Sequence, residues 1–152
     1  MSIRPLSQSL PIQLLAVHDQ VMAYFRPMLN RFGMTDQQWR VLRVVAAEGE
    51  VDFRDLADAC LIQPASLSRM LETLESRGWV NRAISKRDKR QRVVTMTDTG
   101  LDIFRRASVE TERAYDDLEL DLGETYAPAI ALLRELSERM GTLHHAQRRR
   151  AG

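Results

Sequence analysis

Apolar side chains recur with a helical period along most of this chain, and one stretch reads as extended. Leu14, Val21, Phe25, Met28 and Phe32 share one helical face, which predicts a helix over about residues 10–32. Gly33 follows, where a left-handed residue closes a helix at least cost. Thr35-Asp-Gln-Gln38 reads as a capping box. It opens a second helix to about Ala47, with Trp39, Leu42, Val45 and Ala46 inward. Gly49 breaks that helix, and Asp52 can cap a short third one carrying Leu56, Ala57 and Cys60. After Leu61-Ile62, the pair Gln63-Pro64 starts a fourth helix, since proline loses nothing in a first turn. That helix runs to about Arg77 and stops at Gly78. Leu67, Leu71 and Leu74 form its apolar stripe, and Ser66, Arg69, Thr73 and Ser76 its open side.

Trp79–Ile84 and Arg92–Met96 read as extended, the second through its β-branched Val93, Val94 and Thr95. The wholly polar Ser85–Gln91 between them makes a hairpin with a charged tip. Thr97 can cap a helix from Asp98 towards Leu122, Gly123 interrupts, and a last helix reaches about His145 with Ile130, Leu133, Leu136 and Met140 as apolar positions. The expected fold is mainly α with a small β-hairpin wing: a winged helix-turn-helix over about 35–97, flanked by helices over about 10–32 and 98–146. Its 152 residues are one domain's worth. A helix from 98 to 122 would be about 37 Å long. It and its partners cannot all bury their apolar faces against a small winged module, which points to a homodimer.

Charge sharpens this picture. The net charge is only +1, yet residues 63–92 hold eight bases (Arg69, Arg77, Arg82, Lys86, Arg87, Lys89, Arg90, Arg92) against three acids. Residues 110–124 hold seven acids against Arg113 alone. A small-residue helix face followed by a basic hairpin suits duplex DNA. The helix fits the major groove, and the cations suit phosphates or a narrow minor groove. A winged-helix adaptor that binds protein would have no need of six bases in its hairpin.

Several classes are not expected. There is no phosphate-binding glycine loop, zinc-protease motif or nucleophile elbow, so no enzyme and no cofactor are expected. One cysteine, Cys60, gives neither disulfide framework nor thiolate metal site. Cys60 falls on an apolar face, where a thiol is usually inert, although it invites a redox-switch reading. His144-His145 point apart on a helix, and no metal site is expected. No apolar run spans a membrane, no leader signal stands at the start, and a cytoplasmic protein is expected.

Ile62-Gln-Pro-Ala-Ser-Leu-Ser-Arg69, Leu74-Glu-Ser-Arg-Gly-Trp-Val80, Arg87-Asp-Lys-Arg-Gln-Arg92 and Thr95-Met-Thr-Asp-Thr-Gly100 together resemble the MarR family of bacterial repressors. Asp88, Arg90, Thr97 and Gly100 match the family's wing pattern, and Met96 stands where leucine is usual. Ala23-Tyr-Phe-Arg-Pro27 and Asp36-Gln-Gln-Trp-Arg40 resemble the subgroup that represses homoprotocatechuate (4-hydroxyphenylacetate) degradation operons. The resemblance implies a homodimer built by the flanking helices, a pseudo-palindromic operator in double-stranded DNA, and a small aromatic acid as effector. It places Ser66, Ser68 and Arg69 at the groove, and makes Asp88 the residue that orients Arg90 into the minor groove. Gln63, Pro64, Ala65 and Thr73 join the DNA-binding set, and Lys86, Arg87, Lys89 and Arg92 are assigned to phosphates by charge.

An aromatic-acid site needs a cation and apolar walls. His18, Met22 and Arg26 at four-residue steps, with Phe25, Trp39, Arg40 and Arg43, are the expected effector residues. The competing reading makes Trp39 core and pairs Arg26 and Arg40 with acids such as Asp19 or Asp36. Response to hydrophobic drugs or oxidants is the alternative within the family.

Overall fold

A computed structural model describes residues 5–85 and 92–150, with side chains described as far as residue 141. Backbone contacts group the chain into two compact units, Met1–Ala114 and Tyr115–Gly152.

The first unit opens with a short 3-10 turn, Leu6–Gln8, and helix α1, Leu10–Arg31. Helix α1 continues through Pro27, at the cost of one backbone hydrogen bond. Gly33, with φ of 61°, makes the corner. Helix α2, Asp36–Glu48, starts at the capping box read from the sequence. Gln38 N–H donates to Thr35 Oγ1 (3.1 Å), and Thr35 N–H donates to Gln38 Oε1 (3.0 Å). Helix α3, Phe53–Cys60, is capped by Asp52, whose carboxylate accepts from Arg54 N–H at 2.7 Å. Helix α4, Pro64–Ser76, has its proline in the first turn.

Strand β1, Glu50–Asp52, was not expected from the sequence. Three residues carry no readable period, and only pairing reveals them. It pairs antiparallel with β3, Arg92–Met96, which also pairs with β2, Val80–Ile84, in the order β1-β3-β2. Ile84 stands opposite Arg92, the ends of the two strands that the sequence joins through its polar stretch.

The core lies where α2, α3, α4 and this sheet meet. Leu42, Leu56, Leu67, Leu71, Leu74 and Val80 are fully buried, each contributing roughly 1.5–3 kcal/mol by area. Helix α5, Asp98–Leu122, begins against the sheet. Thr97 Oγ1 accepts from Gly100 N–H at 2.9 Å. A Cβ on Gly100 would lie 1.9 Å from the Trp79 carbonyl oxygen, so only glycine lets α5 approach so closely. Contacts that fasten α1 and its C-cap Phe32 to α5 include an ion pair between Arg31 and Glu110 and the Arg106 guanidinium over the Phe32 ring at 5.8 Å. The first half of α1 is different, for Leu10, Ile12, Leu14, Leu15 and Val17 are all exposed.

The second unit comprises the end of α5, a 3-10 turn at Gly123–Thr125, and helix α6, Tyr126–Arg150. Gly123 has φ of 51°, which fits its reading as a helix interrupter. Desolvation, helped by the nearby Glu119 carboxylate, pushes the Tyr126 phenol above its usual range. Leu120, Ile130, Leu132, Leu133 and Met140 are exposed. No helix among the described residues is long and apolar enough to cross a membrane.

Candidate nucleic-acid interface and effector cleft

Helix α4 shows three faces. Leu67, Leu71 and Leu74 lock it into the core. Gln63, Pro64, Ala65, Ser66, Arg69 and Thr73 are exposed. Gln63 stands at the N-cap without a side-chain capping bond. The third face, Ser68, Glu72 and Glu75, borders a groove whose other wall is Arg82, Ala83, Ile84 and Arg92. Ser68 is thus half-buried at the edge of the open face rather than in its middle. Thr73 Oγ1 donates to the Arg69 carbonyl at 3.2 Å, leaving its oxygen to accept from outside.

The turn before α4 is tightly made. Leu61 adopts a left-handed conformation, φ of 54°, uncommon for a residue with a side chain. Its N–H and that of Ile62 return to the carbonyls of Asp58 and Ala57. Arg40 reaches in from α2 and donates to the Cys60 carbonyl at 2.8 Å. Behind it, burial pushes the Cys60 thiol up, partly offset by the Arg40 charge. A neutral buried thiol suits packing rather than reactivity.

In the wing, Arg92 is exposed at the start of β3. Lys86, Arg87, Asp88, Lys89 and Arg90 lie outside the described residues. The sequence counts Arg82 among the six hairpin bases suited to phosphates or a narrow minor groove, but the structure pairs it with Glu75. Both its Nε (2.9 Å) and Nη2 (2.6 Å) donate to Glu75 Oε2, and its backbone N–H donates to Glu75 Oε1 at 3.3 Å. Charge counting missed this because partners seven residues apart, across a helix end and a turn, share no periodic signature. The Arg82 hydrogen bonds hold the Glu75 carboxyl below the usual carboxylate range.

The expected effector residues divide into three groups. His18, Met22 and Arg26 line one open cleft of about 310 Å³ between α1 and the start of α2, with Leu29, Asn30, Met34, Thr35 and Asp36. Arg26 is ion-paired with Asp19, and both are exposed. Phe25 and Trp39 are core instead: Trp39 stacks on Phe104 with ring centroids 5.2 Å apart. Arg40 and Arg43 border a separate surface cleft with Val44, Ala47, Glu48 and Ala59. The sequence reading missed Asn30 and Asp36 as cleft residues. Asn30 continues the four-residue step from Arg26, which is the signal that could have found it. Among the described residues, no group of three or more acids, histidines or cysteines could hold a metal ion.

Comparison with known proteins agrees with this geometry. The MarR family model matches residues 32–91, from the corner before α2 into the hairpin. The chain is 34% identical to the HTH-type transcriptional regulator FarR of Neisseria gonorrhoeae over 139 residues, 91% of this chain and 92% of the relative. It is 38% identical to the homoprotocatechuate degradative operon repressor of Escherichia coli over 112 residues, 73% of this chain and 75% of the relative. Among solved structures, NadR in complex with 4-hydroxyphenylacetate superposes with a TM-score of 0.74 at 33% identity, covering 92% of this chain and 97% of that one. On the strength of these relatives and of the helix-turn-helix with its antiparallel wing, the chain belongs to the MarR family of transcriptional regulators.

Proposed function

We propose that this chain is a cytoplasmic, homodimeric repressor of an aromatic-acid catabolic operon, released from a pseudo-palindromic operator by an aromatic carboxylate. It acts by binding alone, without catalysis or cofactor. The observation that carries the reading is the exposed polar face of α4 set directly beside the paired wing strands. In this reading Ser66, Arg69 and Thr73 meet base edges in the major groove, with Gln63, Pro64, Ala65 and Ser68 around them. Lys86, Arg87, Lys89 and Arg92 meet phosphates, and Asp88 steers Arg90 into the minor groove.

The apolar rows left open on α1 and α6 support a dimer, because a single chain leaves them in water. Two copies then present two α4 helices about one helical turn of DNA apart. The α1–α2 cleft supports an acid effector. Arg26 and His18 offer cationic or donating groups for a carboxylate, Met22, Leu29 and Met34 offer apolar walls, and Asn30 and Asp36 suit a ring hydroxyl. The relatives' names favour arylacetates among such acids. A ligand releases DNA only if it prefers the form that does not bind DNA. A cleft lined by both α1 and the start of α2 is where such a preference can act.

The test is binding of the full chain to the DNA upstream of its own coding region, at several salt concentrations, with added homoprotocatechuate, 4-hydroxyphenylacetate, a hydroxycinnamate or salicylate. Affinity should fall steeply with salt, with a logarithmic slope of about −0.9 per phosphate neutralised, and one hydroxyphenylacetate-type acid should release the complex selectively. A flat salt response contradicts the wing's role. Tight binding that none of the acids releases contradicts the catabolic reading while leaving the DNA-binding one standing.

A further inference from the structure

We infer that Glu75 is a positioning residue for DNA binding: its carboxylate, at the last turn of α4, locks the first wing strand to the recognition helix through Arg82, so that helix and wing reach their grooves together. The inference rests on the DNA-binding reading above and adds to it a residue that makes no DNA contact.

An acid on a helix that approaches phosphates is electrostatically adverse, and Glu75 needs a compensating reason to be there. The geometry supplies it. One carboxylate accepts three hydrogen bonds from a single residue of β2, two from the guanidinium and one from the backbone N–H. Two guanidinium N–H groups converging on one carboxylate oxygen, with the backbone N–H on the other, fix orientation as well as distance, which a lysine's single ammonium could not do. The backbone bond ties the strand itself, not merely a flexible side chain. Both side chains are about a third exposed (31% for Arg82, 38% for Glu75), so the lock sits at the rim of the α4–wing groove rather than in the core. The partners stand on either side of the Gly78 corner, the one link through which the chain passes from α4 to β2. Without the lock, that corner and the shared core still hold β2 in the sheet. What is lost is the fixed angle between the hairpin and the open face of α4.

Charge alone and positioning predict opposite signs. If only charge mattered, Glu75→Gln would remove a repulsive acid, free the Arg82 cation and tighten DNA binding. Positioning predicts weaker binding instead. The experiment uses the full chain and a duplex selected from a random pool by the wild-type protein. Affinity, hydroxyl-radical protection of the backbone, and dimethyl sulfate protection of guanine N7 in the major groove are read for wild type, Glu75→Gln and Arg82→Lys. Thermal melting is read in parallel. The expected result is an affinity loss of about tenfold in both variants, the size of one lost specific contact. The outer, wing-side protections should fade while major-groove protection under α4 and the melting temperature stay close to wild type. Unchanged or tighter binding by Glu75→Gln with outer protections intact overturns the inference. So does loss of both sets of protection together, or a matching fall in melting temperature in both variants, which would make the pair a stability element only. A wild-type protein that selects no duplex would instead remove the DNA-binding reading, and this inference with it.

Discussion

Helix α4 and the first half of α1 carry equally regular apolar rows, and the structure treats them in opposite ways. Leu67, Leu71 and Leu74 on α4 have no exposed surface. Leu10, Leu14 and Val17 on α1 are 54%, 44% and 50% exposed. The residue types are the same, so the difference lies in what is available to cover them. Helix α4 packs on α3 and the sheet, and its row is satisfied inside one chain. The N-terminal half of α1 leaves its row bare. The same holds within the second unit for Ile130, Leu132 and Leu133 on α6. Periodicity tells which face of a helix is apolar, but not which molecule will cover it. The covered row fixes the site's shape, and the bare rows are the ones the proposed dimer would cover.

Substitutions on the two kinds of row should therefore fail differently. Leu71→Ala opens a cavity in the core that supports α4 and should cost about 3 kcal/mol of stability, read from denaturant unfolding. Loss of less than about 1 kcal/mol would mean that α4 is not anchored as described. Leu133→Glu puts a charge on a bare row. It should leave the secondary structure intact while weakening self-association by about a hundredfold or more, the scale of a central interface residue. Sedimentation velocity across a concentration series reads this directly, and a dimer that persists unchanged would place the interface elsewhere. The smallest effect concerns Cys60, which the covered core holds neutral and out of water. In the native protein it should react with iodoacetamide at least about tenfold more slowly than in the unfolded chain. Equal rates would show that the core around α3 opens freely and would revive a thiol switch.

Local chemistry in the sequence accounts for much of this architecture. The capping box at Thr35 and Gln38, the Asp52 cap, Pro64 opening α4 and the hairpin strands each follow from a few neighbouring residues, and each stands where the sequence places it. What was not legible depends on distant partners. Strand β1 exists only because β3 is there to pair with it. Arg82 carries a basic residue's signature and yet is claimed by Glu75. Phe25 and Trp39 fit an aromatic site by type, but the core takes them, since large rings stabilise most when fully buried. Leu61 in a left-handed turn had no signal at all, because glycine or asparagine is what that conformation usually announces. In the cleft, the four-residue step brings His18, Met22 and Arg26 together as expected. Arg40 and Arg43 were grouped with them only because charge suggested it, and a helix carries its successive faces to different places.

In the proposed function, the α1–α2 cleft governs DNA binding by α4 and its wing. The most direct measurement is a fluorescence-anisotropy titration of the protein–operator complex with 4-hydroxyphenylacetate, run side by side for wild type, His18→Ala and Arg26→Ala. Both residues are exposed and remote in sequence from α4, so DNA affinity without ligand should be the same in all three. The predicted result is release of the wild-type complex, with the variants needing about tenfold more ligand, as expected when one charged hydrogen-bonding partner is lost. Release at the same ligand concentration in all three would contradict the assignment of the cleft.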